Sequence, residues 1–453
     1  MSNMNTANDL RDLAEALVSA AKQAGADQAD ALAMRGQSVS IDMRNGALEH
    51  AERAEGVEIG LRVLIGGRQA AVSASEHSDA TIQAMAERAI AMAREAPVDD
   101  NLGLADPAQL TSERDAGELQ ITDDQPDPQP AHLQELALRA EAAAAKVKGI
   151  TQVEAANAGF SRRHMWLAAS NGFSGGYGRT THSISAIAIT GEGLGMERDY
   201  AGEGRVWAED LPTPEEIGAL AAERTLARTG SRKPPTGAFP ILYDPRVSSS
   251  LIGHLLSAVN GTSIARGASW LRKALHEQVL PEGMTLTEDP RRVRYPSSRP
   301  FDAEGLATFQ RDIVANGILQ GWTLDLATGR KLGMDSTASA ARGMASAPSP
   351  SVSNVVLTPG TKSQQELISD MGRGLVVTSM LGASVNGTTG DYSRGAAGFW
   401  VENGQIAYPV NECTIAGNLR EMLMTLIAGN DPLPWRGAEV PSLLVEGMTV
   451  AGA

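Results

Sequence analysis

The sequence predicts an α+β fold, with N-terminal helices packed on an antiparallel sheet and a C-terminal, mainly antiparallel β sheet or barrel domain with a few helices. Gly-Gly and Asn-Gly pairs between apolar-rich runs support this prediction, because both favour two-residue hairpins. The C-terminal half also lacks the strand–helix–strand alternation of a parallel sheet. The hairpin dipeptides are Gly66-Gly67, Asn316-Gly317 and Asn403-Gly404.

Helical and strand patterns fill the first hundred residues. Leucines recur at helical spacing before residue 20, residues 29–75 alternate with the period of two that strands show, and residues 79–95 carry an apolar helical stripe. The stretch 96–130 holds five prolines and many acidic residues. This composition predicts an exposed acidic, Pro-rich connection.

A domain boundary is predicted after residue 230. The helix that begins at Thr213-Pro214 has a capping hydroxyl and a proline at its first position, and Gly230 can end it in the left-handed conformation. The following Lys233-Pro234-Pro235 cannot continue a helix. We therefore expect an N-terminal α+β domain of residues 1–230 and a C-terminal β-rich domain of residues 231–453.

Composition argues against several classes of function. The 453 residues include 39 Lys and Arg against 54 Asp and Glu, a formal net charge of −15 that suits neither nucleic acid nor anionic membranes. The single cysteine, Cys413, excludes an internal disulfide and any CxxC motif. The sequence shows neither a membrane-spanning apolar stretch nor a signal-peptide pattern. We expect a cytoplasmic protein.

The short catalytic motifs in the sequence lack the neighbouring elements or residues that their chemistry needs. Residues 172–176 match G-x-S-x-G, but a hydrolase elbow needs a helix after the serine, and strand-like sequence follows here. A Gly-rich hairpin loop is expected instead, and an autonomous protease would depend on Ser174 alone. His276-Glu277 resembles the start of a zinc-protease helix, but Leu280 stands where the second histidine is needed.

A long block near the C-terminus is more distinctive than any short motif. Residues 390–404 read G-D-Y-S-R-G-A-A-G-F-W-V-E-N-G, and shorter blocks fall in order around them. Together they resemble the TldD/PmbA metallopeptidase family, on its PmbA (TldE) side, essentially from end to end. The supporting blocks are residues 56–63, 301–305, 372–378, 406–410 and 414–419.

The resemblance implies a two-part protease. In this family the TldD-type chain carries a zinc-binding H-E-x-x-x-H helix and a late cysteine ligand, and the PmbA-type chain is its paralogue and partner. The corresponding positions here are Ser249, Ser250 and His254, so only the final histidine of the motif is present. Residues 434–437 stand where the late cysteine would fall.

These replacements remove the parts that zinc hydrolysis needs, which are three protein ligands and a carboxylate base. Ser249 is a poor ligand, and Ser250 cannot act as a base near neutral pH. Cys413 lies too early and is expected to be a small buried side chain. We therefore expect no catalytic residue, metal or cofactor in this chain, zinc in the TldD-type partner, and a packed, hydrogen-bonded His254.

The block Asp391, Tyr392, Ser393 and Arg394 admits two interpretations. It could line a substrate channel or the partner interface, or it could be a tight Gly-rich loop fixed by an internal Asp–Arg pair. The acidic segment 123–127 is predicted to be a solvated loop.

The primary hypothesis is therefore a PmbA/TldE-type subunit of a TldD/TldE zinc metalloprotease that acts on peptides or small unfolded proteins. An open strand edge in the C-terminal domain would suit extended peptides. An older family label mentions DNA gyrase, but the net charge argues against direct DNA binding. The alternative is a stand-alone homodimeric peptide-binding protein without protease activity. A TldD-type gene with an intact motif in the same genome would favour the first hypothesis.

Overall fold

The computed structural model describes residues 2–452, without the side chains of residues 2–6, 194 and 383. None of the helices so described is long and apolar enough to cross a membrane. The helices are α1 (Ser2–Gln23), α2 (Asp79–Glu95), α3 (Pro130–Ala145), α4 (Pro214–Ala227), α5 (Pro245–Ala258), α6 (Gly261–Ala265), α7 (Leu326–Leu332), α8 (Gln364–Met371) and α9 (Leu419–Met424).

The first six strands form one antiparallel sheet. They are β1 (Gln28–Arg44), β2 (Ala47–Ile65), β3 (Arg68–Ala74), β4 (Ile150–Ala169), β5 (Ser174–Thr190) and β6 (Glu197–Arg205), and the sheet order is β3-β2-β1-β4-β5-β6. Helix α1 packs on β1 and β4, α2 on β2 and β3, and the pair α3–α4 on β4, β5 and β6. Strand β6 is therefore an edge strand with α4 beside it.

The remaining strands build the C-terminal half. They are β7 (Gly237–Tyr243), β8 (Leu286–Glu288), β9 (Arg311–Ala315), β10 (Ile318–Leu319), β11 (Ala340–Ala341), β12 (Ser349–Pro350), β13 (Val355–Leu357), β14 (Gly374–Val385), β15 (Asp391–Glu402), β16 (Gln405–Asn418), β17 (Ile427–Ala428), β18 (Ala438–Glu439) and β19 (Leu443–Ala451).

The larger C-terminal sheet closes on itself. Its order is β16-β15-β14-β7-β19-β17, and an additional pairing between β16 and β19 completes a barrel. A smaller sheet has the order β10-β9-β8-β13-β18. Most neighbours are antiparallel, whereas β7–β14 and β13–β18 are parallel. The predicted fold class is confirmed.

Helix α5 belongs to the core of the C-terminal half. Its Leu251, Ile252 and Leu255 are completely buried, in one cluster with Tyr243 of β7 and Trp400 of β15. Burial of each aliphatic side chain contributes about 1.5–3 kcal/mol. The helix that carries the degenerate motif is therefore firmly held.

The predicted hairpin turns are confirmed. Asn403 and Gly404 have φ angles of 52° and 72°, the left-handed values that a two-residue type I′ turn requires, and they join β15 to β16. Ser174 is the first residue of β5, directly after the turn from β4. The G-x-S-x-G match is therefore the expected hairpin loop.

The connection at residues 96–130, which was predicted to be exposed, combines exposed positions with a few buried ones. The segment contains two short 3₁₀ helices, and its Leu119 and Ile121 are buried in a cluster with Val206, which follows β6. Polar composition alone suggested solvent exposure. A few apolar side chains instead anchor the segment to the sheet, because burying them offsets the cost of ordering the loop.

In the segment 123–127, predicted to be a solvated loop, residues 124–126 are exposed but Asp123 is not. Its side chain is buried, and its carboxylate accepts hydrogen bonds from the backbone N–H groups of Gln125 (2.9 Å) and Ala208 (3.0 Å). The same carboxylate lies 3.0 Å from Nε2 of His182 on β5. Asp123 therefore ties the connection to the sheet.

Candidate functional site

Helix α5 positions the degenerate motif directly after β7. Asp244 follows the strand, and its carboxylate accepts a hydrogen bond from the backbone N–H of Arg246 (3.0 Å). Pro245 occupies the first helical position, where the missing N–H costs no intrahelical bond. This start places Ser249 in the second turn of the helix.

The three motif positions have three different surroundings. Ser250 Oγ donates a hydrogen bond to the carbonyl of Val247 (2.7 Å), Ser249 lines a pocket with arginines, and His254 packs against Tyr392. Zinc needs several donors that converge on one point, so these residues do not fit the ion. Within residues 2–452, no group of three or more His, Cys, Asp and Glu side chains could hold a metal ion.

The imidazole of His254 is packed beside an aromatic ring and near a cation. Its ring centroid lies 5.7 Å from that of Tyr392, in an edge arrangement at 73°. Burial, and then the charge of Arg394, lowers the pKa of His254, so the ring is neutral at pH 7. The predicted packing is confirmed. The predicted hydrogen bond is not found at Nε2, which is buried without a partner in the part of the chain described.

Tyr392 points into the barrel core. Its side chain is buried, and its hydroxyl lies 3.5 Å from both the hydroxyl of Tyr243 and the sulfur of Met380. Burial raises the pKa of both phenols, which therefore remain neutral. Ser393 follows in the same strand, opposite Ser384 of β14. Tyr392 is thus a core residue that contacts His254.

The interpretation of residues 391–394 as a loop with an internal Asp–Arg pair is wrong. These residues begin β15, and side chains three apart on a strand point to opposite faces. Asp391 instead accepts hydrogen bonds from Thr389 Oγ1 (2.6 Å) and Asn418 Nδ2 (3.2 Å). Arg394 Nε donates to the carbonyl of Gly382 (2.8 Å). Their role as a substrate or partner surface stays a prediction.

A basic pocket of about 280 Å³ lies where the two halves of the chain meet. We call it the arginine pocket. Its walls come from the edge strand β6, from α4, from the start of α5 and from residues 433–438. The polar side chains in its lining are Tyr200, Arg224, Arg246, Ser249 and Arg436.

Sequence reasoning missed the arginine pocket, although it identified two of its parts. Ser249 was singled out as a lost ligand, and residues 434–437 as the replacement of the late cysteine. The structure brings Ser249 together with Arg436 and Gly437 in one lining. One residue could have indicated the pocket from the sequence. Arg246 lies three residues before Ser249 and therefore on the same side of the helix.

A second pocket, of about 350 Å³, lies between residues 123–136 and the start of α4. His182 and Asp123 form part of its wall, as the buried pair described above. Burial lowers the pKa of His182, although Asp123 acts in the opposite direction. Sequence reasoning missed this pair because its members are far apart in the chain.

Cys413 has the predicted structural role. Its side chain is buried in β16, and Sγ donates to the carbonyl of Ala396 in β15 (3.1 Å). Burial raises the pKa of the thiol to about 11. At neutral pH the group is therefore a protonated thiol, which is a poor nucleophile and a poor metal ligand.

Comparison with protein-family models gives three consecutive matches. Residues 29–93 match PmbA/TldA metallopeptidase domain 1, residues 123–229 match the central domain, and residues 236–452 match the C-terminal domain. The chain is 37% identical over 429 residues to Metalloprotease PmbA of Escherichia coli O157:H7, covering 94% of this chain and 92% of that protein. A Metalloprotease PmbA homolog of Haemophilus influenzae is 33% identical over 449 residues, 98% of this chain and 96% of its own length.

Solved structures share the whole fold. A protein from Bacteroides thetaiotaomicron, described as a candidate modulator of DNA gyrase, has a TM-score of 0.89 and 29% identity, covering 98% of both chains. TldE from Thermococcus kodakarensis has a TM-score of 0.83 at 20% identity, over 97% of this chain and 99% of its own, which shows the fold alone. From the family models and these full-length relatives, the chain belongs to the PmbA/TldD metallopeptidase family, on its PmbA (TldE) side.

Proposed function

We propose that this chain is the PmbA/TldE-type subunit of a cytoplasmic TldD/TldE zinc metalloprotease, with the zinc site supplied by a TldD-type partner. The observation that carries the proposal is that a member of a metallopeptidase family has Ser249, Ser250 and His254 in surroundings that do not converge on a metal. Catalysis then requires another chain, and the paralogous TldD-type chain is the one that carries the motif.

The proposed substrates are peptides or small unfolded proteins. An extended chain offers backbone N–H and C=O groups that can pair with an exposed strand edge. The sequence predicted this edge in the C-terminal domain, but the larger sheet there closes on itself, and the edge proposed here is strand β6 of the N-terminal sheet. Its residues Tyr200 and Gly202 line the arginine pocket. In this proposal the chain binds and orients the substrate, and the partner cleaves it.

Co-purification with the TldD-type paralogue from the same genome tests the proposal. The complex is expected to hold zinc and to cleave an unfolded protein in a chelator-sensitive manner. This chain alone is expected to do neither. The partner alone is expected to cleave more slowly than the complex.

Two results would contradict the proposal. Chelator-sensitive cleavage by this chain alone would show that it has its own catalytic site. Equal cleavage by the partner with and without this chain would remove its role as a required subunit. Failure to form a complex, together with self-association and peptide binding, would favour the stand-alone homodimer.

A further inference from the structure

We propose that the arginine pocket binds the terminal carboxylate of a peptide substrate. The inference rests on the proposed function in one respect, that the ligand is a peptide. It adds the site at which the peptide binds and the chemical group that is recognised there. The resemblance matches two parts of the lining, Ser249 and residues 434–437, to zinc-ligand positions of the catalytic paralogue. In this chain, arginines occupy that region.

The charge of the pocket lining selects an anion. Arg224, Arg246 and Arg436 line the cavity, and no carboxylate is among the described lining residues. The acids that pair with two of these arginines are not among the lining residues. Arg246 contacts Asp199 (3.2 Å) and Asp244 (3.3 Å), and Arg436 contacts Glu203. The space itself is therefore left with cationic groups on several sides.

The electrostatic surroundings of Arg224, which lines the cavity, also favour an anion. Burial and the neighbouring charge of Arg246 lower the pKa of Arg224. An anion between the guanidinium groups would offset this repulsion and accept charge-assisted hydrogen bonds.

The walls favour a carboxylate that ends a polypeptide over a free inorganic anion. Gly202 belongs to the edge strand β6 and offers main-chain groups to an extended chain, whereas the neighbouring Tyr200 already uses its N–H with Asp199 (2.8 Å) and its C=O with Arg224 (3.1 Å). Leu433 and Ala438 add apolar surface. The volume of about 280 Å³ is far above the roughly 10–15 Å³ that admits one water, so the pocket has room for a residue as well as its charged group.

Calorimetric titration of the full purified chain tests the assignment. The probes are a short, N-acetylated, unstructured peptide of Gly, Ser and Ala with a free C-terminal carboxylate, the same peptide as its C-terminal amide, and inorganic phosphate. The free acid is expected to bind at least about tenfold more tightly than the amide, because the amide lacks the charge that the guanidinium groups recognise.

Matched variants locate the binding. Arg436→Gln is expected to weaken binding of the free acid about tenfold, and Ser249→Glu, which adds a carboxylate to the lining, to abolish it. Arg198→Gln is the control, because Arg198 lies in the same strand β6 but pairs with Glu154 in exposed surroundings. It removes one positive charge and should leave the affinity unchanged within about twofold.

Equal binding of acid and amide would overturn the inference, as would equal effects of Arg436→Gln and Arg198→Gln. Phosphate that binds in the pocket more tightly than the peptide acid would also overturn it, in favour of a free anion. These titrations use no protease partner. If the peptide acid does not bind but the TldD-type complex is active, only the assignment of the pocket is contradicted. If the peptide acid binds but the complex is inactive, only the proposed protease function is contradicted.

Discussion

Two charged clusters join the N-terminal and C-terminal halves of the molecule, and they differ in how their charges are matched. In the first, the carboxylate of Asp30 in β1 accepts a hydrogen bond from Arg62 Nε in β2 (2.8 Å) and also contacts Arg342 of the C-terminal half. These three side chains are 2–4% exposed. In the second cluster, the arginine pocket, the cationic groups surround an open cavity.

The difference separates a structural role from a binding role. Two buried guanidinium groups that share one carboxylate hold two segments together, since losing the acid would leave unpaired buried charge. The cavity beside Arg342 also has acidic Asp302 in its lining, with a volume of only about 130 Å³. The arginine pocket has more space and only cationic groups among the charged side chains of its lining, because the acidic partners of Arg246 and Arg436 are not part of that lining, and these features favour an anionic ligand.

Removal of the carboxylate at Asp30 should have the largest effect on stability. We expect Asp30→Ala to lower the free energy of unfolding by about 3–5 kcal/mol, because Arg62 and Arg342 would remain buried without their shared partner. The midpoint of urea unfolding measures the change. Asp12→Ala is the control, because Asp12 contacts Arg11 in exposed surroundings and should change stability by less than about 1 kcal/mol. Equal shifts in the two variants would contradict the structural role.

Acid should weaken the same cluster. Burial alone would raise the pKa of Asp30, but Arg62 and Arg342 outweigh it and hold the pKa below its usual value. A lowered folded-state pKa gives stability that is complete above the unfolded value of about 3.9 and is lost as pH falls through the folded value. The stability difference between wild type and Asp30→Asn should therefore be constant near neutral pH and shrink in strong acid. A difference that grows on acidification would contradict this assignment.

The arginine pocket should tolerate loss of a charge with little effect on stability. Arg436 is 42% exposed at its side chain, and its ion pair with Glu203 is partly solvated. Arg436→Gln is expected to lower the free energy of unfolding by less than about 1 kcal/mol. The midpoints of urea unfolding of Arg436→Gln and Asp30→Ala, measured under the same conditions, give the comparison. A loss as large as that of Asp30→Ala would make Arg436 a structural residue like Arg62.

The sequence predicted the features that depend on neighbouring residues. Turn chemistry located the Asn403-Gly404 hairpin, and the hydroxyl of Thr213 caps α4 with Glu216 in a reciprocal pair of hydrogen bonds. Strand lengths were harder to predict. Strand β4 runs unbroken from 150 to 169, straight through the polar residues 161–164. Pairing with β1 on one side and β5 on the other overrides this local signal.

The features that the sequence could not predict depend on distant contacts. Asp123 is buried because His182 and Ala208, far along the chain, contact its carboxylate. The arginine pocket draws Arg224 and Arg436 from segments about 200 residues apart, and no spacing rule connects them. Family resemblance identified Ser249 as a changed position, but only the fold shows that the surroundings of Ser249 became cationic.

The smallest expected effect is that of restoring the zinc motif, and the cationic pocket explains why. The double variant Ser249→His, Ser250→Glu would regain His, Glu and His254 in sequence. The new imidazole would enter the lining that holds Arg224, Arg246 and Arg436, where positive charge opposes Zn²⁺. His254 packs against Tyr392, away from those groups, and no late cysteine is present.

We therefore expect elemental analysis of the double variant to give no more zinc than wild type, with far less than one zinc per chain in both, and no chelator-sensitive peptide cleavage in either. Adding Arg246→Gln and Arg436→Gln to the double variant sharpens the test, because it removes the repulsion but still supplies no sulfur ligand. Stoichiometric zinc in the double variant would contradict the claim that the surroundings oppose the metal. Zinc only after both arginines are removed would show instead that the charge of the lining, more than the missing cysteine, prevents zinc binding by the double variant.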